Sequence, residues 1–293
     1  MTPLPEAILE RIEAHFSAEY VGINMMSTRR AAEELGSAQR IREQLALMQQ
    51  SIGEVSEDPA RTFPTCQRML EIGSGYGVLQ AEALVQGAGA FGIEPDWPDC
   101  SISQAVLAHY GFQPARISQA VGECLPFAND AFDCVCSFMV LEHVQDMQRV
   151  LYEATRVLKS GGYLHLVAPN YGSIWEGHYN ILWIPHSPRW LAKLYVRLLG
   201  RRPEFVDSLQ FVTPGKLRRI VRTLPLEVKS WGVEVWDHRL DTLDFTAWSE
   251  AEHLKTMVRW ARRLGAVDTV RWLGRRLDFF TPIILTAQKV GSI

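Results

Sequence analysis

The chain has 293 residues, of which 47% are apolar and 22% are charged, a composition typical of folded globular proteins and not of disordered chains. No apolar run approaches the roughly 18 residues that a membrane-spanning helix needs, and the stretch Met1–Glu6 lacks the basic start and apolar block of a signal peptide. Five cysteines without a C-x-x-C pair indicate neither a disulfide framework nor a zinc site, and a net charge of −3 gives no reason to expect a nucleic-acid partner. We therefore expect a cytoplasmic protein.

The first 66 residues are predicted to form a helical cap and a linker ahead of a main domain at 67–293. Helical periodicity covers residues 5–16 and 28–50, and Ile41, Leu45 and Met48 lie on one face of the second helix. Residues 51–64 contain two prolines and show little periodicity, which is typical of a linker.

A glycine-rich turn follows the first predicted strand, at 67–72, and helical periodicity resumes at Val78. Its three glycines, at alternate positions, are Gly73, Gly75 and Gly77. Bare backbone N–H groups at such a junction can contact a ligand, although many turns of this kind bind nothing. A dinucleotide fingerprint, G-x-G-x-x-G, would need glycine or alanine at position 78, where this chain has valine.

Strands and helices alternate from residue 67 onward, which predicts a parallel sheet with helices on both faces. The predicted strands cover 67–72, 88–94, 114–120, 132–138, 162–168, 226–236 and 279–288. The predicted helices cover 77–87, a segment up to about 110, 146–158, 188–202 and 214–223. The expected fold class is α/β, a doubly wound, mostly parallel, seven-stranded sheet of the Rossmann-like type. Helical insertions are predicted at about 170–213 and 237–278.

Five segments resemble one protein family. Glu71–Gly77 resembles motif I of the class I S-adenosylmethionine-dependent methyltransferases, and Phe91–Asp96 is similar to the end of their second strand. Glu123–Asp133 and Ser137–Val144 resemble the segment typical of the type-11 branch, and Arg156–Gly162 completes the set. Five matches in the right order are far more specific than any one of them.

The resemblance implies S-adenosyl-L-methionine as the cofactor. Glu94 would accept hydrogen bonds from both ribose hydroxyls, and Glu71 would help to receive the ammonium group. Val121 stands where many relatives carry an adenine-contacting aspartate, so backbone groups of Gly122 and Glu123 are predicted to meet the adenine instead. The N-terminal helices would either cap the cofactor pocket or only pack on the domain. The full predicted set is Glu71, Gly73, Ser74, Gly75, Gly77, Glu94, Pro95, Gly122, Glu123, Cys124 and Ser137.

Catalytic candidates lie in the first insertion. Methyl transfer is an in-line displacement at a sulfonium carbon, so the protein must chiefly align the nucleophile with the methyl group. A hydroxyl acceptor also needs a base, for which His178, His186 and Glu176 are the candidates, and a structural role in the loop explains either histidine equally well. His143 is explained by packing or capping at least as well as by substrate contact. The sequence has no clustered His/Asp pattern, so no metal is expected.

The charge distribution is uneven. Residues 187–223 carry nine Lys/Arg against two acids, a net +7, and residues 255–276 carry seven against one, a net +6, which leaves −16 elsewhere. Aromatic and aliphatic residues share these helices with the basic stripe that comprises Arg189, Lys193, Arg197 and Arg201. Two interpretations stay open: solvated charged faces over packed cores, or a surface for an anionic lipid headgroup or phosphorylated acceptor. The second would give an anionic or lipid-linked small-molecule acceptor and peripheral membrane contact.

We therefore predict a methyltransferase that acts on a small-molecule acceptor, with O-methylation favoured. One alternative is a catalytically silent S-adenosylmethionine-binding or scaffold protein, which would bind cofactor and transfer nothing. A nicotinamide oxidoreductase is disfavoured by Val78 and by the later motifs.

Overall fold

The computed structural model describes residues 1–20, 27–56, 63–64, 68–244 and 252–291. The strands are β1 (Met69–Ile72), β2 (Ala90–Glu94), β3 (Ile117–Gln119), β4 (Phe132–Phe138), β5 (Leu158–Ala168), β6 (Trp175–Glu176), β7 (Ile181–Leu182), β8 (Leu226–Ser230) and β9 (Ile283–Lys289). The helices are α1 (Glu6–Tyr20), α2 (Thr28–Leu35), α3 (Ala38–Gly53), α4 (Val78–Val85), α5 (Trp97–His109), α6 (Met147–Val157), α7 (Arg189–Leu198), α8 (Phe205–Ser208), α9 (Pro214–Val221), α10 (Val233–Thr242), α11 (Glu252–Arg263) and α12 (Val267–Arg276).

Seven strands form one sheet in the order β3-β2-β1-β4-β5-β9-β8. The pairs among β1 to β5 are parallel, whereas β9 runs antiparallel to both β5 and β8. The chain moves outward from β1 to β2 and β3, then returns to place β4 on the other side of β1. Ligands in such sheets bind outside the carboxyl ends of the strands, at this reversal. The predicted doubly wound, seven-stranded α/β fold is confirmed.

Two hydrophobic cores cover the two faces of the sheet. One contains Ile12 of α1 and Leu45 of α3 together with residues of α4 and α5. The other joins Val150 of α6 to Leu217 of α9 and to the inner strands. The N-terminal helices therefore pack on one face of the sheet.

The predicted helix at 28–50 is wrong as a single element. α2 ends at Leu35, and α3 begins at Ala38 with the Ser37 side chain accepting a hydrogen bond from the N–H of Arg40. A serine that caps a new helix interrupts an otherwise continuous apolar periodicity. α3 also runs on to Gly53, into the predicted linker. The predicted domain boundary after residue 66 lies outside the described residues.

The strand bounds also differ in the second half of the sheet. β5 begins at Leu158 and not at 162, and β9 begins at Ile283 and not at 279. The strand predicted at 226–236 ends at Ser230, because Gly232 takes a φ of +70° and α10 begins directly after it. A Cβ at Gly232 would lie 2.6 Å from the Cβ of Ile284, so close packing on β9 requires glycine there.

The first predicted insertion has a hydrophobic core of its own, which includes Tyr171, Tyr179, Trp183, Val196 and Val206. The second contains α10, α11 and α12 and packs on Trp175 of β6 through Leu240 and Val258. Among the described residues no helix has the length and apolar character to cross a bilayer.

The apolar face of α7 does not pack on the sheet. α7 buries Ala192 and Val196, whereas Trp190 is 68% exposed and Leu198 is 76% exposed. Trp260 on α11 and Trp272 on α12 are also more than half exposed. α7 therefore packs on the core of the first insertion through Ala192 and Val196, whereas Trp190 and Leu198 of its predicted apolar face remain exposed.

Much of the predicted positive charge is paired within the fold. Arg189 donates to the carbonyls of Val206 and Leu209, and Lys193 forms an ion pair with Asp207. On α12, Arg271 and Arg275 both pair with Asp237 of α10. Asp207 is already counted in the net +7 of its segment, whereas Asp237 lies outside 255–276 and offsets part of the +6 of that segment.

Candidate active site

The glycine turn lies at the carboxyl end of β1. Gly73, Gly75 and Gly77 take φ angles of +76°, +48° and +73°, a backbone region that favours glycine. A Cβ at Gly73 would lie 2.3 Å from Val140, but a Cβ at Gly75 would meet no atom within 4 Å. The turn is thus tightly packed at one end and open at Gly75, where a ligand could approach the backbone.

Glu94 ties the end of β2 to this turn. Its Oε2 accepts a hydrogen bond of 2.9 Å from the N–H of Gly75, and its Oε1 accepts one of 3.1 Å from the N–H of Asp96. The side chain is 7% exposed, and burial raises the pKa of its carboxyl group. Two backbone donors fix the carboxylate at the reversal of the sheet while leaving lone pairs on both oxygens.

Glu71, on β1, is also buried. The side-chain amide of Gln80 on α4 donates to its carboxyl group. Burial raises the pKa of Glu71 to about 8, and the nearby Glu94 acts in the same direction. A buried acid of this kind is a ready partner for a cation that enters the site.

The loop after β3 lies on another side of the candidate cofactor site, next to the end of β2. The N–H of Ala120 donates to the carbonyl of Glu94, and a Cβ at Gly122 would lie 3.1 Å from Ile72. Glu123 uses its carboxylate elsewhere, since its Oε1 accepts hydrogen bonds from the N–H groups of Gln145 and Asp146 before α6. The carboxylate of Glu123 is therefore engaged elsewhere, and the predicted contact with the adenine would involve its backbone N–H.

The remaining predicted cofactor residues differ in exposure. Pro95 and Cys124 are exposed, whereas Ser74 and Ser137 are buried. The carbonyl of Pro95 accepts a hydrogen bond from the side chain of Gln119. All four residues lie at the same edge of the sheet as the glycine turn.

The acceptor-side candidates lie on the hairpin of β6 and β7. Oε1 of Glu176 lies 2.7 Å from Nδ1 of His178, and Oε2 accepts a hydrogen bond of 2.7 Å from the N–H of Tyr179. Glu176 is 1% exposed. Burial acts to raise its pKa, but His178 and the hydrogen bonds lower the pKa overall. Because Glu176 is then a carboxylate, Nδ1 of His178 carries the hydrogen and Nε2 points away.

That second nitrogen meets two residues from the turn after β4. Nε2 of His178 lies 3.1 Å from Nε2 of His143, and Oε1 of Glu142 lies 3.9 Å from both nitrogens. Glu142 is completely buried, and burial raises its pKa to about 7, whereas burial and the neighbouring His178 lower the pKa of His143 to about 3. We call Glu142, His143 and His178 the His–Glu cluster.

Comparisons with known proteins bear on the segment that carries the glycine turn, Glu94, Glu142 and His143. Residues 70–166 match the model of a family described as "Methyltransferase domain". Over these residues the chain is a class I methyltransferase domain of the type-11 family.

Two relatives carry methyltransferase names, and one solved structure shares the fold. An uncharacterized methyltransferase of Mycolicibacterium vanbaalenii is 29% identical over 157 residues, which cover 52% of this chain and 59% of that protein. A ubiquinone biosynthesis O-methyltransferase of Methylobacterium nodulans is 26% identical over 178 residues, 58% of this chain and 64% of that protein. The structure of a geranyl diphosphate methyltransferase in complex with S-adenosylmethionine aligns with a TM-score of 0.52 and 13% identity, over 94% of this chain and 95% of that one. The chain spans less than two thirds of the length of these curated relatives.

S-adenosyl-L-methionine is the cofactor of a methyltransferase domain of this class, and the residues at the reversal of the sheet fit it. The hydroxyl oxygens of Ser74 and Ser137 are buried, yet neither has a hydrogen-bond partner in the part of the chain that the structure describes. Gly75 leaves open space beside them. Buried polar groups are normally paired, so a polar ligand at this position would supply hydrogen-bond partners for these two hydroxyls.

The structure does not bring all three catalytic candidates together. His186 lies with its ring against Gly172, where a Cβ would be 2.8 Å from it, and its backbone N–H donates to Tyr171. No hydrogen bond or ion pair joins its ring to His178 among the described residues. Glu142 and His143 take its place beside His178. Their segment already carried the family resemblance, and only the spatial approach of a residue 35 positions later gives them a common site.

Proposed function

We propose that this chain transfers a methyl group from S-adenosyl-L-methionine to a hydroxyl oxygen of a small molecule. The observation that carries the proposal is the connection between the two halves of the site. Val140, which packs against Gly73 of the glycine turn, lies just before the residues that meet His178. One short turn therefore has the cofactor loop on one side and the His–Glu cluster on the other.

The backbone of that turn is fixed at both ends. Met139 takes a φ of +58°, rare for a residue with a side chain, while its N–H donates to Val167 of β5. The carbonyl of Glu142 accepts a hydrogen bond of 2.6 Å from the N–H of Gln210 in the first insertion. Strained backbone that is held by its surroundings is common at functional sites, and here it sets the position of the cluster relative to the cofactor loop.

The proposed methyl transfer depends mainly on the alignment of the acceptor oxygen with the methyl group. The bound cofactor supplies a methyl group on a positively charged sulfur. The acceptor oxygen attacks the methyl carbon, the carbon–sulfur bond breaks with its electron pair left on sulfur, and the hydroxyl proton leaves on the acceptor side. Holding the reactants in line supplies about 7–11 kcal/mol of the barrier reduction in favourable cases. Glu176 keeps His178 oriented so that Nε2 lies beside His143 in the His–Glu cluster, next to which we place the acceptor.

We favour a hydroxyl oxygen as the acceptor atom over an atom that would lose its proton, or attack the methyl group, without help from the protein. A hydroxyl needs help to lose its proton, and the His–Glu cluster offers polar groups for that task. The name of the relative from Methylobacterium nodulans, an O-methyltransferase, agrees with this choice.

We further propose that the acceptor has an apolar part and reaches the site from an anionic bilayer surface. The exposed apolar face of α7, with Trp190 and Leu198, supports this, because a patch of this kind favours contact with an apolar phase. Arg197 lies on the same helix and is exposed. The bilayer and the small-molecule acceptor are the partners of this proposal, and neither requires a membrane-spanning helix.

The test combines binding and transfer. Calorimetry with S-adenosylhomocysteine should show binding at a single site, and NAD should not bind. Labelled S-adenosylmethionine should then transfer its methyl group to at least one member of a panel of phenols and lipid-linked hydroxyl compounds. Binding without transfer to any member would favour the catalytically silent alternative, and binding of NAD alone would refute both.

A further inference from the structure

Three side chains from two distant segments converge beside the cofactor loop. Glu142 and His143 come from the turn after β4, and His178 comes from the hairpin between β6 and β7. We propose that these three side chains bind one divalent transition-metal ion, of which Zn²⁺ is the best match. The sequence predicts no metal, since the three ligands form no local motif.

The distances fit a single ion. The three ligand atoms, Nε2 of each histidine and Oε1 of Glu142, are separated by 3.1, 3.9 and 3.9 Å. A triangle with these sides has a point about 2.1 Å from all three corners, which equals the usual zinc–imidazole and zinc–carboxylate bond length. This point lies in the plane of the three atoms, so an ion can contact all three there, and a small adjustment of the side chains lets it leave that plane and take a fourth ligand.

Glu142 gives an independent reason to expect a cation. Its side chain is completely buried, and neither carboxylate oxygen has a hydrogen-bond partner within the described ranges of the chain. Burial of an acidic group without partners is unfavourable, because the group loses its hydration without compensation. A metal ion bound to Oε1 would provide the missing partner.

The second nitrogen of His178 is arranged as in known metal sites. A histidine that binds a metal through one nitrogen commonly donates its other N–H to a carboxylate, which fixes the ring and its tautomer. Glu176 does this for His178 at 2.7 Å. Glu176 is held in turn by the N–H of Tyr179 and the hydroxyl of Tyr171, so the support extends one residue further.

The ligand types select the ion. Two imidazoles and one carboxylate suit Zn²⁺ and its neighbours in the transition series, whereas Mg²⁺ and Ca²⁺ prefer oxygen ligands. Three protein ligands also leave a fourth position open, as in catalytic zinc sites. The His143 side chain is 33% exposed, which provides a path for entry and a side from which a further ligand can bind.

The role of the ion rests on the function proposed above, although its binding does not. An acceptor hydroxyl bound at the open position would have a lower pKa and would lose its proton to water. Its oxygen would then attack the methyl carbon, with the carbon–sulfur electron pair left on sulfur. The ion would thus supply the activation that a hydroxyl acceptor needs.

Zinc binding is tested without reference to catalysis. Protein stripped with EDTA is titrated with Zn²⁺ by calorimetry, and Co²⁺ is followed by its visible absorption. We expect one ion per chain, no comparable binding of Mg²⁺, and at least tenfold weaker Zn²⁺ binding for His143→Gln and Glu142→Gln. His143 is partly exposed, and thermal unfolding checks that each variant is folded. No Zn²⁺ binding by wild type, or unchanged binding by both variants, would overturn the proposal.

Two controls make the outcome specific. His15, Asp96 and Asp99 form a second group of potential ligands, and His15→Gln should leave the Zn²⁺ stoichiometry unchanged. His109→Gln removes an exposed histidine of α5 and should behave like wild type. Methyl transfer that persists in EDTA without Zn²⁺ binding would refute this inference and leave the proposed function standing. Zn²⁺ binding without transfer to any acceptor would support this inference and count against the proposed function.

Discussion

The backbone N–H of Gly75 donates to Oε2 of Glu94 at 2.9 Å, which joins the glycine turn to the neighbouring strand. This hydrogen bond crosses the edge of the sheet at its reversal and places a buried carboxylate beside the open side of the turn. The same carboxyl group is therefore part of the fold and part of the proposed cofactor site. Substitutions at Glu94 should reveal both roles.

Glu94→Ala should weaken S-adenosylhomocysteine binding by about 1–3 kcal/mol, the usual loss for a hydrogen bond to a charged group. Glu94→Gln should lose less, because its amide oxygen can still accept from one backbone N–H. Calorimetry measures the affinities and thermal unfolding measures the stability. Glu227→Ala on β8, which removes an exposed glutamate, is the control. Equal affinities for wild type and Glu94→Ala would contradict the predicted ribose contact.

The raised pKa of Glu71, about 8, should couple cofactor binding to proton release. Below that pH the free protein holds the proton, whereas a cation beside Glu71 favours the carboxylate. The affinity for S-adenosylmethionine should therefore increase from pH 6 to 7.5, by up to about tenfold per pH unit. Calorimetry in buffers of different ionisation enthalpy detects the released proton. Glu71→Gln should lose both effects, and an unchanged pH dependence in that variant would exclude Glu71 as the source.

Glu176→Gln should impair methyl transfer without weakening cofactor binding. The amide cannot act as a negatively charged acceptor for Nδ1 of His178, and loss of such support typically costs about 10–100-fold in activity or metal affinity. Steady-state kinetics and Zn²⁺ titration are the measurements. Glu204→Gln, at an exposed position, is the control. If only thermal stability falls, Glu176 has a structural role alone.

The apolar face of α7 should mediate contact with bilayers. Replacing Trp190 and Leu198 together by serine should reduce flotation with anionic vesicles, and S-adenosylhomocysteine binding should stay the same. A matched control replaces two other exposed apolar residues, Val85 and Val290, which are 50% and 58% exposed.

Salt separates the apolar contribution from the electrostatic one. Flotation of wild type should decrease above an ionic strength of about 0.15 M, where the Debye length is roughly 8 Å. Arg197→Glu should reduce that salt dependence. Flotation by the α7 variant equal to that of wild type would refute the bilayer contact.

His165 should make the fold less stable in mild acid. Its ring is fully buried beside the hydroxyl of Thr286, and burial lowers its pKa to about 3. Between pH 7 and pH 5 the unfolded chain takes up a proton on this residue and the folded chain does not, so the free energy of unfolding falls by about 2 kcal/mol. His165→Gln should show a smaller loss over the same interval, measured by urea unfolding, and His109→Gln should match wild type. Equal pH dependence in His165→Gln and wild type would contradict the assignment.

Local patterns in the sequence determined the inner sheet and the position of the glycine turn and Glu94 at its edge. Glycine geometry, a strand that ends in Glu94 and the ordered motifs all act through neighbours along the chain or through strand ends that meet at one edge. The element bounds near Ser37 and Gly232 were less predictable, because a cap and a close contact with Ile284 outweighed the apolar periodicity.

Only the tertiary structure decided the acceptor half. His178 reaches His143 across 35 residues because the first insertion folds back over the turn after β4, where Gln210 bonds to the carbonyl of Glu142. The exposure of Trp190 and the pairing of Arg271 with Asp237 likewise depend on which helices are neighbours. The spacing of residues along the chain carries no record of such contacts, since loop closure brings together groups that no local periodicity relates.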